Sequence, residues 1–163
     1  MVSLNSTSTL TSISEYLLSS IDSIKNVESI LPRTVEVPVM YGGENGPDLD
    51  KVSKNAGLSS SEVIKRHSEA EYLVYFIGFS IGFPYLGGMD LSIATPRLDS
   101  PRKSVPKGSI GIAGDQTGIY PLSSPGGWNL IGRTEMNIFN VDDPELSVLQ
   151  MGDRVKFIPV EVH

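Results

Sequence analysis

A histidine close to two carboxylates is the most obvious chemical group in the sequence. Glu69 and Glu71 follow His67 at alternate positions. An imidazole titrates near neutral pH, so His67 is a candidate for polar contact or general acid–base chemistry. One histidine with two carboxylates is a weak pattern for a metal site, because zinc sites add further histidine or cysteine ligands. We therefore predict no metal in this chain.

Three cations each follow a proline directly, namely Arg97, Arg102 and Lys107. Proline restricts the backbone, so the pattern fits positive charges held at set positions in an otherwise acidic chain. It is equally consistent with solubility and with a clamp for a carboxylate or phosphate. Arginine is favoured for such a clamp because its guanidinium can donate two parallel hydrogen bonds.

Residues 112–134, IAGDQTGIYPLSSPGGWNLIGRT, contain five glycines, two prolines and the only tryptophan. Glycines in such a segment indicate close approach of backbones or a surface of main-chain N–H groups for an anion. Trp128 could pack in the core, but its neighbouring glycines leave room beside the indole. An aromatic floor with a few polar groups is typical of a binding pocket. We predict a substrate or partner groove built from Gly114, Gln116, Thr117, Tyr120, Gly126, Gly127 and Trp128.

Two apparent catalytic motifs do not have the context that their chemistry needs. GFSIG at 78–82 matches the hydrolase nucleophile elbow, but Pro84 follows where a helix is required, and the only downstream histidine is His163. GSIGIAGDQTG at 108–118 lacks the Gly-Lys-Ser/Thr of a phosphate-binding loop. We predict neither a serine nucleophile nor a conventional nucleotide site.

Composition narrows the class of protein. The 163 residues are 39% hydrophobic and 20% charged, with a net charge of −6 and no cysteine. These values fit a globular chain without disulfides or thiolate metal sites, and they disfavour nucleic-acid binding. No stretch of about 18 apolar residues occurs, and the N-terminus lacks the basic and apolar regions of a secretion signal. We therefore expect a cytoplasmic protein with no membrane or nucleic-acid partner.

The elements that must position these residues are mainly strands. Capping boxes predict helices at 13–28 and 59–68, and a third helical tract lies at 48–55. Strands are predicted at 33–41 and 71–79, and several short ones follow at intervals of about ten residues. Such spacing is typical of a closed or nearly closed β-barrel, or of a sandwich, with short helices at one end.

Four segments together resemble the KipI / allophanate hydrolase subunit 1 family, whose members include the B subunit of 5-oxoprolinase. They read VPVMYGGENGPDLDKV, HSEAEYLVYFIGFSIGFPYLGG, ATPRLDSPRKSVPKGSIGIAGDQTGIYPLSSPGGWNLIGRT and MGDRVKFIPV. The resemblance covers about residues 31–160. It implies a cyclophilin-like β-barrel at 31–163, preceded at 1–30 by a tail and helix that correspond to a remnant of the family's N-terminal domain. Ile81 stands where the family usually has proline.

The resemblance also implies a function. It suggests a component of an ATP-dependent 5-oxoprolinase, which hydrolyses 5-oxoproline to glutamate together with a KipA/PxpC-like subunit and a LamB/YcsF (PxpA)-like subunit. ATP would bind at a partner or at an interface, with Arg97 stabilising negative charge and His67 transferring a proton. The alternatives are a KipI-like inhibitor of a sensor histidine kinase and a carboxyltransferase-type subunit related to urea carboxylase.

Overall fold

The computed structural model describes residues 12–16, 18–20, 33–78, 80–140, 142 and 147–161. The chain divides into two units, Met1–Leu31 and Pro32–His163. In the first unit, residues 12–16 and 18–20 are helical, in agreement with part of the helix predicted at 13–28. Residue 17 and residues 21–28 of that prediction lie outside the described residues.

The described residues of the second unit contain nine strands. They are β1 (Thr34–Tyr41), β2 (Glu71–Ile77), β3 (Pro84–Gly87), β4 (Arg102–Val105), β5 (Ser109–Ala113), β6 (Gln116–Ile119), β7 (Ser124–Gly126), β8 (Asn129–Arg133) and β9 (Arg154–Pro159). Seven of them close a barrel in the order β1-β8-β5-β6-β3-β2-β9, and β4 pairs with β7 in a separate two-stranded sheet. The pair β1–β9 is parallel, and the other barrel neighbours are antiparallel. The predicted mainly β barrel is confirmed.

Two short α-helices lie between β1 and β2, as the sequence predicted. They are α1 (Leu49–Ala56) and α2 (Ser60–Glu69), and a 3-10 turn follows later at Leu91–Ile93. The Ser59 side chain accepts a hydrogen bond from the Glu62 backbone N–H at 3.2 Å, which is the capping bond expected at the start of α2. Among the helices that the structure describes, none is long and apolar enough to cross a membrane.

The barrel wall separates two apolar clusters because side chains alternate along each strand. On β6, Thr117 and Ile119 face the barrel interior, whereas Gly118 between them faces the ring of Phe83. The interior cluster includes Val37, Tyr72, Ile112, Val155 and Phe157. The outer cluster consists of Phe83, Val105, Ala113, Tyr120, Trp128 and Leu130, with Tyr85 packed against it. Since Val105 belongs to β4, the two-stranded sheet contributes to this outer cluster.

Candidate functional site

His67 lies inside the barrel core and is fully buried. Its ring stacks on Phe157, with 4.6 Å between ring centroids. Its Nδ1 lies 2.7 Å from the Tyr41 hydroxyl, and its Nε2 lies 2.9 Å from Thr117 Oγ1. Both ring nitrogens therefore have a protein partner, and no substrate can reach either of them.

The hydrogen bonds around His67 assign its tautomer. Thr117 Oγ1 donates to the Gly111 carbonyl at 3.0 Å, so the same hydroxyl must accept from Nε2–H of His67. Burial lowers the pKa of His67 from 6.5 to about 3, which keeps the imidazole neutral and leaves Nδ1 as an acceptor. Burial also raises the pKa of Tyr41 well above its usual value, so the Tyr41 hydroxyl stays protonated and donates to Nδ1.

This arrangement corrects the proton-transfer role predicted for His67. The sequence placed the histidine at a helix end beside Glu69 and Glu71, but the ring points into the core while both carboxylate residues are exposed. Glu71 instead pairs with Arg154 at 2.9 Å. Across the described part of the chain, no group of three His, Asp or Glu residues is close enough to hold a metal ion.

Trp128 also differs from the prediction, which put its indole along an open groove. The residue is 3% exposed and belongs to the outer apolar cluster. Its ring centroid lies 5.3 Å from that of Phe83 and 5.8 Å from that of Tyr85, both in edge-on geometry. The prediction of an open cleft lined by Trp128 is therefore wrong, because Tyr85 on β3 and Phe83 in the turn before it fill the space beside the indole.

Arg97 is a predicted site residue that remains available to a ligand. Its side chain is exposed, and its guanidinium carbon lies 5.8 Å from the Trp128 ring centroid, over the ring. Arg97 makes no hydrogen bond or ion pair with any other described residue. A guanidinium held over an indole keeps its planar donors free for a carboxylate or phosphate.

The backbone on both sides of Arg97 is held by hydrogen bonds. These are the reciprocal bonds between Thr95 and Gly114 at 2.8 and 3.1 Å, the bond from Asn129 Nδ2 to the Pro96 carbonyl at 2.8 Å, and the bond from the Leu98 N–H to the Gly127 carbonyl at 2.7 Å. Arg97 therefore projects from a segment that is anchored at each neighbouring residue. Sequence reasoning missed Asn129, although a polar residue inside an apolar strand is expected to make buried hydrogen bonds.

Of the three cations in the predicted clamp, Arg102 is engaged in an ion pair. Arg102 Nη2 donates to Asp48 Oδ1 at 2.7 Å, and the other carboxylate oxygen of Asp48 accepts from the Leu130 N–H at 2.7 Å. Arg102 is thus engaged in tying β4 to the start of α1. Lys107 is exposed, and its carbonyl accepts a hydrogen bond from Arg133 Nε at 3.1 Å.

The remaining groove residues are divided between turns and buried positions. Gly114 opens the two-residue turn between β5 and β6 and has a φ of 61°, a conformation that favours glycine. Gln116 is half-buried at the start of β6, and Tyr120 is fully buried. Gly126 packs directly against the Tyr120 hydroxyl, so its missing side chain allows close packing of β7.

The structure therefore brings together Arg97, Trp128, Tyr120, Gly126 and Gly127 near the outer apolar cluster. Thr117 belongs instead to the barrel interior with His67. Tyr85, which the sequence analysis did not select, is half-buried beside Trp128. The resulting candidate site is one anchored cation on an aromatic base, and its chemistry suits an anionic ligand.

Comparison with known proteins identifies the family. The 5-oxoprolinase B subunit of Bacillus subtilis (strain 168) is 55% identical over 128 residues, covering 78% of this chain and 53% of the relative. The 5-oxoprolinase B subunit of Escherichia coli O157:H7 is 50% identical over 127 residues, covering 78% of this chain and 58% of the relative. The chain thus spans little more than half the length of these curated relatives.

Solved structures and a family model agree with this assignment. The crystal structure of a conserved uncharacterised protein from Pyrococcus horikoshii matches with a TM-score of 0.76 at 48% identity, covering 93% of this chain and 67% of that one. The family model described as "Carboxyltransferase domain, subdomain C and D" matches residues 1–149. The resemblance inferred from the sequence is confirmed, and the chain belongs to this carboxyltransferase-domain family.

Proposed function

We propose that the chain acts as the B subunit of an ATP-dependent 5-oxoprolinase, which converts 5-oxoproline to glutamate and works only with partner subunits. Two relatives that are named as B subunits of 5-oxoprolinase support this proposal, at 55% and 50% identity. Within the site, the proposal rests on the guanidinium of Arg97, which lies above Trp128 and is unpaired among the described residues. Both 5-oxoproline and glutamate are anions, and an unpaired guanidinium is suited to binding a carboxylate.

Arg97 could meet negative charge at two stages of such a reaction. The substrate carboxylate is negative throughout, so binding it would lower KM without favouring the transition state. Negative charge also develops when the cyclic amide is activated. If Arg97 stabilised that charge, it would favour mainly the transition state and so raise kcat. A split between KM and kcat in Arg97 variants therefore distinguishes the two roles.

The partners in this proposal are a KipA/PxpC-like subunit and a LamB/YcsF (PxpA)-like subunit. ATP would bind on a partner or at an interface, because the sequence contains no phosphate-binding loop motif. This chain would contribute the cation and the surface around it. His67 is left out of the proposed chemistry because its nitrogens are buried and engaged.

The test is a reconstituted 5-oxoprolinase assay with the two partner subunits, with and without this chain. We expect Arg97→Gln to lower kcat/KM by about 10- to 100-fold, the effect of losing one charge-assisted hydrogen bond of about 1.5–3 kcal/mol. Lys103→Gln is the matched control, because Lys103 is an exposed cation on the nearby strand β4. Turnover that is unchanged when this chain is omitted would overturn the proposal.

The other functions remain predictions from the sequence. Inhibition of a sensor histidine kinase and a carboxyltransferase-type role would both use a protein surface, and no contact within the described ranges favours either of them. A cytoplasmic location is likewise an expectation.

A further inference from the structure

The hairpin formed by β2 and β3 exposes four large apolar side chains. They are Tyr75, Phe76, Ile77 and Ile81, with 52%, 47%, 40% and 70% of their surface exposed. We call these four residues the hairpin patch. Scattered apolar residues are normal on a protein surface, but a contiguous group of about 400 Å² is often an interaction site.

The two aromatic residues of the hairpin patch pack against residues of β3. The Phe76 ring stacks on Tyr85 with 4.4 Å between centroids and an interplanar angle of 23°. The Tyr75 ring covers Gly87, where a side chain would overlap it. The exposed faces of these rings are therefore pre-positioned, which reduces the entropy lost when a partner binds.

Beyond Glu71 at its start, the hairpin carries no charged side chain. Residues 72–89 contain no Asp, Glu, Lys, Arg or His, in a chain that is 20% charged. Depletion of charge is typical of the central part of a protein–protein interface. An anionic membrane is a poor match, because residues 72–89 supply no cation and the chain has a net charge of −6.

Among the described residues, strand β2 has no strand partner on one side beyond Leu73. On the side away from β3, β9 pairs with β2 only at Glu71, Tyr72 and Leu73. The next residue, Val74, bonds through its backbone to residues 152 and 153, which precede β9. From Tyr75 to Ile77, no strand of the described chain lies along this side. An exposed, apolar strand edge is a template for pairing with another chain.

We propose that this edge is the docking surface for the KipA/PxpC-like partner in the proposed 5-oxoprolinase, which would add an extended, uncharged, apolar segment as a strand beside Tyr75–Ile77. The backbone would supply hydrogen bonds and the hairpin patch would supply apolar contact, which is the usual form of strand addition. A stable interface buries about 800 Å² on each partner, so the patch would form its apolar centre. This inference depends on the proposed function.

The test uses calorimetry to measure binding of the purified KipA/PxpC-like subunit. A hairpin variant carries Phe76→Ser, Ile77→Ser and Ile81→Ser. A control variant carries Leu91→Ser and Val160→Ser, which remove two exposed apolar side chains elsewhere. We expect the hairpin variant to bind at least 10-fold more weakly than the wild type, while the control binds normally. The single variant Ile81→Asp gives the same comparison at a residue that is 70% exposed, where folding is least affected.

Hydrogen exchange tests the strand pairing itself. Within residues 75–77, the amides that point away from β3 should exchange more slowly in the complex than in the free chain. The inference would be overturned if the hairpin variant and Ile81→Asp both bound normally, or if exchange at residues 75–77 were unchanged. Turnover by the wild-type complex would still support the proposed function in that case. If the wild type neither binds nor supports turnover, the proposed function fails and the inference with it. The wild type could instead form a concentration-dependent dimer that the hairpin variant does not form, while both bind the partner equally well. That result would show that a second copy occupies the hairpin patch, and it would also overturn the inference.

Discussion

His67 on α2 is joined to Thr117 on β6 by a hydrogen bond of 2.9 Å between Nε2 and Oγ1, deep inside the barrel. The two residues are 50 positions apart in the chain. The bond therefore ties a helix to the barrel wall, and it occupies the nitrogen that acid–base chemistry would have required. A buried histidine of this kind contributes to stability, and that contribution can be measured.

Replacing Thr117 with valine should destabilise the protein. Valine has nearly the same shape but no hydroxyl, so Nε2–H of His67 would be left buried without an acceptor. We expect the free energy of unfolding in urea to fall by about 1–3 kcal/mol. Thr117→Ser is the control, because it keeps the hydroxyl and loses one methyl group, at a cost of about 1 kcal/mol. Equal losses in the two variants would show that the hydrogen bond is unimportant.

The stability of the protein should depend on pH through His67. Burial lowers its pKa from 6.5 to about 3, so between these values the unfolded chain binds a proton that the folded protein excludes. The free energy of unfolding therefore decreases as the pH falls through this window, by about 1.4 kcal/mol per pH unit for one proton. Above about pH 7, the group is neutral in both states and has no such effect.

The variant His67→Gln isolates this effect, because other groups titrate in the same range. Urea unfolding of both proteins at several values between about pH 7 and about pH 4.5 should show their stability difference shrinking as the pH falls. A difference that stays constant would mean that His67 is protonated in the folded protein.

The adjacent glycines Gly126 and Gly127 should respond differently to alanine. A methyl group at Gly126 would overlap the Tyr120 hydroxyl, so either β7 or the ring must move, at a cost of about 1–3 kcal/mol. At Gly127 the nearest atom to a new methyl group is Pro101 Cγ at 3.6 Å, an ordinary contact. We expect Gly127→Ala to change stability by less than about 1 kcal/mol, which thermal or urea unfolding can check. Similar losses at both positions would contradict the close packing of β7 on Tyr120.

Much of the fold could be predicted from short stretches of sequence. The capping box at Ser59 located α2, and the alternation of 33–41 located β1, since these signals depend on residues within a few positions of one another. The regular spacing of short strands predicted a barrel or a sandwich, and the resemblance to the family favoured the barrel. The quoted motifs were enough to place the chain in its family, because they extend over most of the second unit.

The positions of the candidate site residues could not be obtained in this way. The glycines before Trp128 gave no sign of Phe83 and Tyr85, which lie more than 40 residues earlier and cover the indole. The prolines before Arg97 and Arg102 are alike, yet Asp48 neutralises only Arg102. Local patterns set where helices and strands form, because they reflect backbone preference and side-chain period. Whether a polar side chain is buried, paired or left open depends on which distant strands the closed barrel brings beside it.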